Sequence, residues 1–174
     1  MKRNEWLWSL AGFAFVSLGG TLLHYLYNWT GQSTLVAPFS GINESTWEHM
    51  KLLFWPLFVF ALIQAPHFKQ YKSFWCVKLL GTVVGIFSIP VLFYTYNGAI
   101  GKSPDWINIV IFFVSAAITF ILETILLKKD SLPCRRPSLA VAVFCVIGTL
   151  FVAFTFITPR LPLFMDPVTG TYGI

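Results

Sequence analysis

Five long apolar runs decide what this chain can become; the stretches between them carry most of the charge and many of the glycines and prolines. They fall at residues 6–27, 45–65, 74–96, 105–127 and 138–157. A helix rises about 1.5 Å per residue, so roughly 20 apolar residues cover the ~30 Å hydrocarbon core of a bilayer. The first run follows Met1-Lys2-Arg3 as the core of a signal peptide would, but it is longer than the ~7–15 residues such a core needs, and it is read as an uncleaved span. Charged residues make up 11% of the 174, against about 25% in an ordinary soluble domain, and 56% are hydrophobic, too many to hide in a soluble core of this size. The expected fold is all-α: a polytopic membrane bundle of five transmembrane helices, one integral membrane domain over residues 1–174, with the lipid bilayer as its surroundings.

Within the spans, Pro56 and Pro90 each remove a helical hydrogen bond, and a kink is expected near residues 52–56. Gly81 and Gly85 have the four-residue spacing that lets membrane helices approach closely. Ser103 or Asp105 is placed to cap the fourth span. No internal repeat is visible, and an odd number of spans argues against a simple inverted-repeat transporter.

Orientation follows from the Lys and Arg of the short loops. Lys2, Arg3, Lys69, Lys72, Lys128, Lys129, Arg135 and Arg136 fall on one side, and Lys51, Lys102 and Arg160 on the other. Eight against three predicts the N-terminus inside and the C-terminus outside. The net charge of +5 is spent on this topology, and no nucleic-acid partner is expected. Cys76, Cys134 and Cys145 then lie inside or within the membrane, so no disulfide framework is expected. The tail from Thr158 to Ile174 contains Pro159, Pro162 and Pro167, which forbid a helix, yet Leu161, Leu163, Phe164 and Met165 make it apolar. It is expected to be non-helical and folded over the outer face.

The polar groups of so apolar a chain concentrate at Asn43-Glu44-Ser45-Thr46-Trp47-Glu48-His49-Met50-Lys51, the outer end of the second span. Glu44 and Glu48 are four apart and would share a helical face; Ser45 and His49 would share the next. His24 lies at a similar depth near the end of the first span, and Asp166 of the tail is on the same side. His24, Glu44, Glu48, His49 and Asp166 are therefore the ligand- or metal-binding candidates, with Asn43, Ser45, Trp47 and Lys51 in support. Carboxylate and imidazole together suit zinc, manganese or iron, and the same groups suit proton relay or a cationic solute. Capping accounts for part of the cluster without any ligand. Ser45 and Glu48 match a capping box, Glu44 would favour the helix dipole, and Trp47 would anchor at the interface. At the inner end, Lys78 and Glu123 lie at equal depth and are expected to form a structural ion pair.

His24-Tyr25, Asn43-Glu44-Ser45 with Trp47-Glu48-His49 and Lys51, and Pro162-Leu163-Phe164 with Asp166-Pro167 and Tyr172-Gly173 resemble a family of small bacterial multi-spanning membrane proteins classed as a domain of unknown function, in which an Asn-Glu-Ser-x-Trp-Glu-His signature follows the first span. The resemblance implies the bacterial plasma (inner) membrane and supplies no activity. From the residues, the first expectation is solute- or ion-binding or transport through an outward-facing vestibule. The alternatives are a metal-dependent membrane enzyme acting on a lipid or small molecule, and a structural or accessory subunit. A divalent metal is the one cofactor the residue types suggest. There is no Gly-x-Ser-x-Gly elbow and no Gly-rich phosphate loop. The oligomeric state is not written in the sequence.

Overall fold

The computed structural model describes residues 5–129 and 132–174, with the side chain of Asp105 excepted. Lys2 and Arg3 of the charge count lie outside the described residues. Five helices carry the chain: α1 (Glu5–Trp29), α2 (Thr46–Gln64), α3 (Phe74–Ala99), α4 (Asp105–Lys129) and α5 (Pro137–Phe156). All five are long and apolar enough to cross a membrane. Among the described residues there is no strand, only an isolated antiparallel bridge between Met165 and Tyr172.

The boundaries have local causes. Ser45, extended at φ −66° and ψ 153°, accepts the amide of Glu48 and starts α2. Pro66 follows the end of α2, where the helix tightens into a single 3-10 turn (Ala65–His67). Pro137 occupies the first position of α5, where its missing N–H is not needed. Pro56 and Pro90 sit inside α2 and α3, which run through them.

Helix α2 is the centre of the bundle and touches the other four, while α1, α4, α3 and α5 follow one another around it. Twelve of its 19 residues are buried, against four of 25 in α1. An apolar helix without a polar face is stable only inside a core or a bilayer, and here both apply. The core runs along α2 through Leu53, Phe54, Leu57 and Phe60 and is completed by Val16, Phe112, Phe120, Phe144 and Phe151. The outside is as apolar as the inside: Leu10, Leu18, Leu22, Phe87, Val91, Ile121, Leu139 and Val146 are exposed. So much bare apolar surface would aggregate in water and is stable in lipid.

Glycines allow the closest approaches. A Cβ on Gly20 of α1 would run into the Phe112 ring, and one on Gly19 would come within 3.2 Å of Pro56. In the α3–α4 seam, Gly81 faces Glu123 and Gly85 faces Thr119. Lys78 Nζ lies 2.5 Å from Glu123 Oε2 in this seam, both side chains fully enclosed.

The chain between α1 and α2 is fastened to α2. Ala37 O accepts from Lys51 Nζ at 2.8 Å, Pro38 O accepts from Trp55 Nε1 at 3.0 Å, and Ser40 bonds to both Leu23 O and Tyr27 N at the end of α1. The tail returns to the end of the bundle where α2 begins. Its 3-10 turn (Pro162–Phe164) places the Phe164 ring 4.6 Å from Trp47 and 5.7 Å from Phe154, and Leu163 O accepts from Thr46 Oγ1 at 3.1 Å.

Two expectations are corrected. Cys76 and Cys134 form a disulfide. Cys76 opens α3 and Cys134 lies between α4 and α5, so the fold brings to one end two residues 58 apart, which spacing alone could not pair. Lys51 is not a loop charge: it is wholly buried in α2, which leaves Lys102 and Arg160 on the less basic side.

Candidate functional site

Two stretches of chain bring His24, Glu44 and His49 together. His24 comes from the last turns of α1, Glu44 from the residues just before α2, and His49 from the first turn of α2. One ligand atom from each lies within 4.8 Å of the other two. Glu44 bridges the imidazoles, with Oε1 3.6 Å from His24 Nε2 and Oε2 3.6 Å from His49 Nε2. These distances exceed a normal hydrogen bond. Each is measured to a different carboxylate oxygen. With one ligand atom from each residue the three atoms lie within 4.8 Å, wider than the ~3.4 Å between two ligands on a tetrahedral zinc at about 2.0–2.1 Å, so a bound ion would draw them inward.

The backbone holds these groups in place. Nδ1 of His49 donates to the Ser45 carbonyl at 2.9 Å, so the neutral ring carries its lone pair on Nε2, the atom 3.6 Å from Glu44. Metal-bound histidines commonly fix their second nitrogen in this way. Gly41 lies 3.5 Å (from an ideal Cβ position) from His24 Nδ1, and its amide bonds Leu23 O at 3.2 Å, so the segment leading to Glu44 rests on the end of α1. The His24 ring packs edge-on against Tyr25.

Glu48 and Asp166 do not join the cluster. The face-sharing rule that grouped Glu44 with Glu48 holds only inside a helix, and α2 begins at Thr46, so Glu44 lies before the cap. Glu48 turns instead to Lys51 Nζ at 2.5 Å and to the amide of Ile42 at 3.1 Å. The capping box is thus half formed: Ser45 Oγ accepts from Glu48 N, while Ser45 N donates to Asn43 Oδ1 and not to Glu48. Asp166 closes the turn of the tail, accepting from Val168 N at 2.8 Å and Thr169 Oγ1 at 2.9 Å. Trp47 packs at a tilt against Phe151 and Phe164. Ser103, named above as a cap for α4, ties Asn97 to Asn108.

His24 and His49 open onto a cleft of about 230 Å³ between α1 and α4. Gly20, Leu52, Phe112 and Phe113 form its apolar wall, and the exposed Thr21, Tyr25 and Ile109 form its rim. The cleft is a little smaller than the ~300–1,000 Å³ of sites for drug-sized ligands. Asn108 lines both this cleft and a small gap behind Glu44 and His49. Sequence reasoning passed it over, although a single amide one turn inside an apolar span is the kind of signal that marks an intramembrane polar site.

The model of a family of unknown function (DUF6512) matches residues 1–174, and the chain belongs to that family. No curated protein and no solved structure matches it.

Proposed function

We propose that this member of a family of unknown function is an integral membrane protein that holds a divalent transition metal at His24, Glu44 and His49 and presents it to an amphiphile in the cleft between α1 and α4. The observation that carries this reading is the convergence, within 4.8 Å, of three ligand atoms from the end of α1 and the start of α2. Two imidazoles and one carboxylate are a donor set of zinc enzymes and of non-haem iron sites, and three protein ligands leave a coordination position open. A metal there would act as a Lewis acid or lower the pKa of a bound water. The lining of the cleft is largely apolar, which favours a membrane-dissolved ligand. A solute pathway has less support, because Leu52 and Phe112 floor the cleft above the enclosed core.

The orientation that goes with this reading has the N-terminus inside, the C-terminus outside and the tail over the outer face of a bacterial plasma membrane. Described charges in the loops and at the helix ends support it: Lys69, Lys72, Lys128, Lys129, Arg135 and Arg136 at one end, Lys102 and Arg160 at the other.

Metal analysis of the full-length protein, purified in detergent after growth with added zinc, tests the proposal. Stoichiometric metal is expected in the wild type and in Asp166→Asn, and its loss in Glu44→Gln. Metal-free wild type, or equal metal in Glu44→Gln, would overturn it.

A further inference from the structure

A second cleft, of about 770 Å³, opens at the basic end of the molecule between α3 and α5. Leu79, Leu80 and Val83 of α3 and Leu139 and Val143 of α5 line it, and Arg135 and Arg136 stand at its mouth. Both arginines are exposed, and neither forms an ion pair among the described residues. The Cys76–Cys134 disulfide ties the residue before Arg135 to the first turn of α3, so the two guanidinium groups stay beside the cleft.

We infer that this cleft is a binding site for an anionic phospholipid, with an acyl chain between α3 and α5 and the headgroup phosphate on Arg135 and Arg136. The space lies along two spans, where an apolar groove is filled by lipid chains and not by water. Guanidinium groups suit the mouth because their planar donors grip phosphate oxygens in pairs. Lys69, Lys72, Lys128 and Lys129 share this end of the bundle, and basic pockets between spans on the cytoplasmic side recognise anionic headgroups. The site does not depend on the metal cluster, which lies at the opposite end of the helices.

Native mass spectrometry of the full-length protein, with phosphatidylglycerol or phosphatidylcholine added to the detergent, tests the inference. The wild type should retain phosphatidylglycerol several-fold better than phosphatidylcholine. Arg135→Gln/Arg136→Gln should abolish that preference, and Lys69→Gln/Lys72→Gln, which removes the same charge from the same end, should keep it. Val83→Trp, filling the cleft without altering charge, should reduce retention of both lipids. An unchanged preference in the arginine variant would overturn the assignment. An equal loss in the lysine variant would overturn it too, because general surface charge would then explain the retention.

Discussion

Glu48 and Lys51, one turn apart in α2, form a buried ion pair whose two ends hold different parts of the chain. Glu48 accepts the amide of Ile42 at 3.1 Å, and Lys51 donates to Ala37 O and to Thr155 Oγ1 of α5. The pair thus fastens the segment that carries Glu44. Removing one partner strands the other charge in an enclosed site, which typically costs about 3–5 kcal/mol. Glu48→Leu is therefore expected to lower thermal stability sharply in detergent, whereas Glu44→Gln should leave it nearly unchanged. Comparable loss in both would show that Glu44 is itself part of the framework.

The two imidazoles predict how metal binding responds to pH and to the backbone. Both must be neutral to coordinate, so zinc affinity is expected to fall as the pH is lowered, with proton release on binding. His24→Ala and His49→Ala should each abolish tight zinc binding in a fluorescent-chelator competition. Ser45 contributes to the site through its carbonyl, which Ser45→Ala retains. That variant should keep zinc and lose only the cap, about 1 kcal/mol.

The five candidate spans were legible because a helix that crosses a bilayer must be long and apolar, and roughly 20-residue runs announce it whatever its neighbours do. The start of α2 was nearly as legible, since Ser45 caps it with its own hydroxyl. The candidate site was legible in composition and not in geometry. His24, Glu44 and His49 stood out as polar groups at one depth, but the partner of Glu48 depended on α2 starting one residue after Ser45. A carboxylate on either side of that boundary faces a different way. The disulfide was hidden for another reason: the meeting of Cys76 and Cys134 is a product of helix packing, and the charge rule placed both where thiols ordinarily stay reduced.

The α3–α4 seam predicts a steric effect. A Cβ on Gly85 would collide with Thr119 Oγ1, which is already bonded to Ser115 O at 3.0 Å and cannot swing clear without breaking that bond. Gly85→Ala should destabilise the protein by about 1–3 kcal/mol, the usual range for overpacking. Gly98→Ala, where the added atom meets nothing within 4 Å, is the control and should show no such loss in the same unfolding assay.

Phe164 predicts the behaviour of the tail. Its ring is buried against Trp47 and Phe154, and truncating an enclosed aromatic costs about 3–5 kcal/mol. The tail has few other anchors, so the loss should appear as local release and not as global unfolding. Phe164→Ala is expected to make the chain beyond Phe156 readily cleaved by protease while α1 to α5 stay intact. Equal resistance to cleavage in both proteins would show that the hydrogen bond from Thr46 to Leu163 O and the packing of Leu163 against the core hold the tail without it.

Orientation is where two physical rules conflict, and one labelling experiment decides between them. The loop charges put the Lys- and Arg-rich end in the cytoplasm, yet that end carries the Cys76–Cys134 disulfide, a bond usual on the oxidising side. The charge rule acts while the spans insert, before α3 and the α4–α5 segment have packed together to pair the cysteines, so we expect it to prevail. The only other cysteine, Cys145, is exposed on α5 and is replaced by Ser in the background. In intact cells, a membrane-impermeant maleimide should then label Lys102→Cys and leave Lys72→Cys unlabelled until the membrane is opened. The reverse pattern would turn the molecule over, return the disulfide to its usual compartment, and place His24, Glu44 and His49 on the cytoplasmic side.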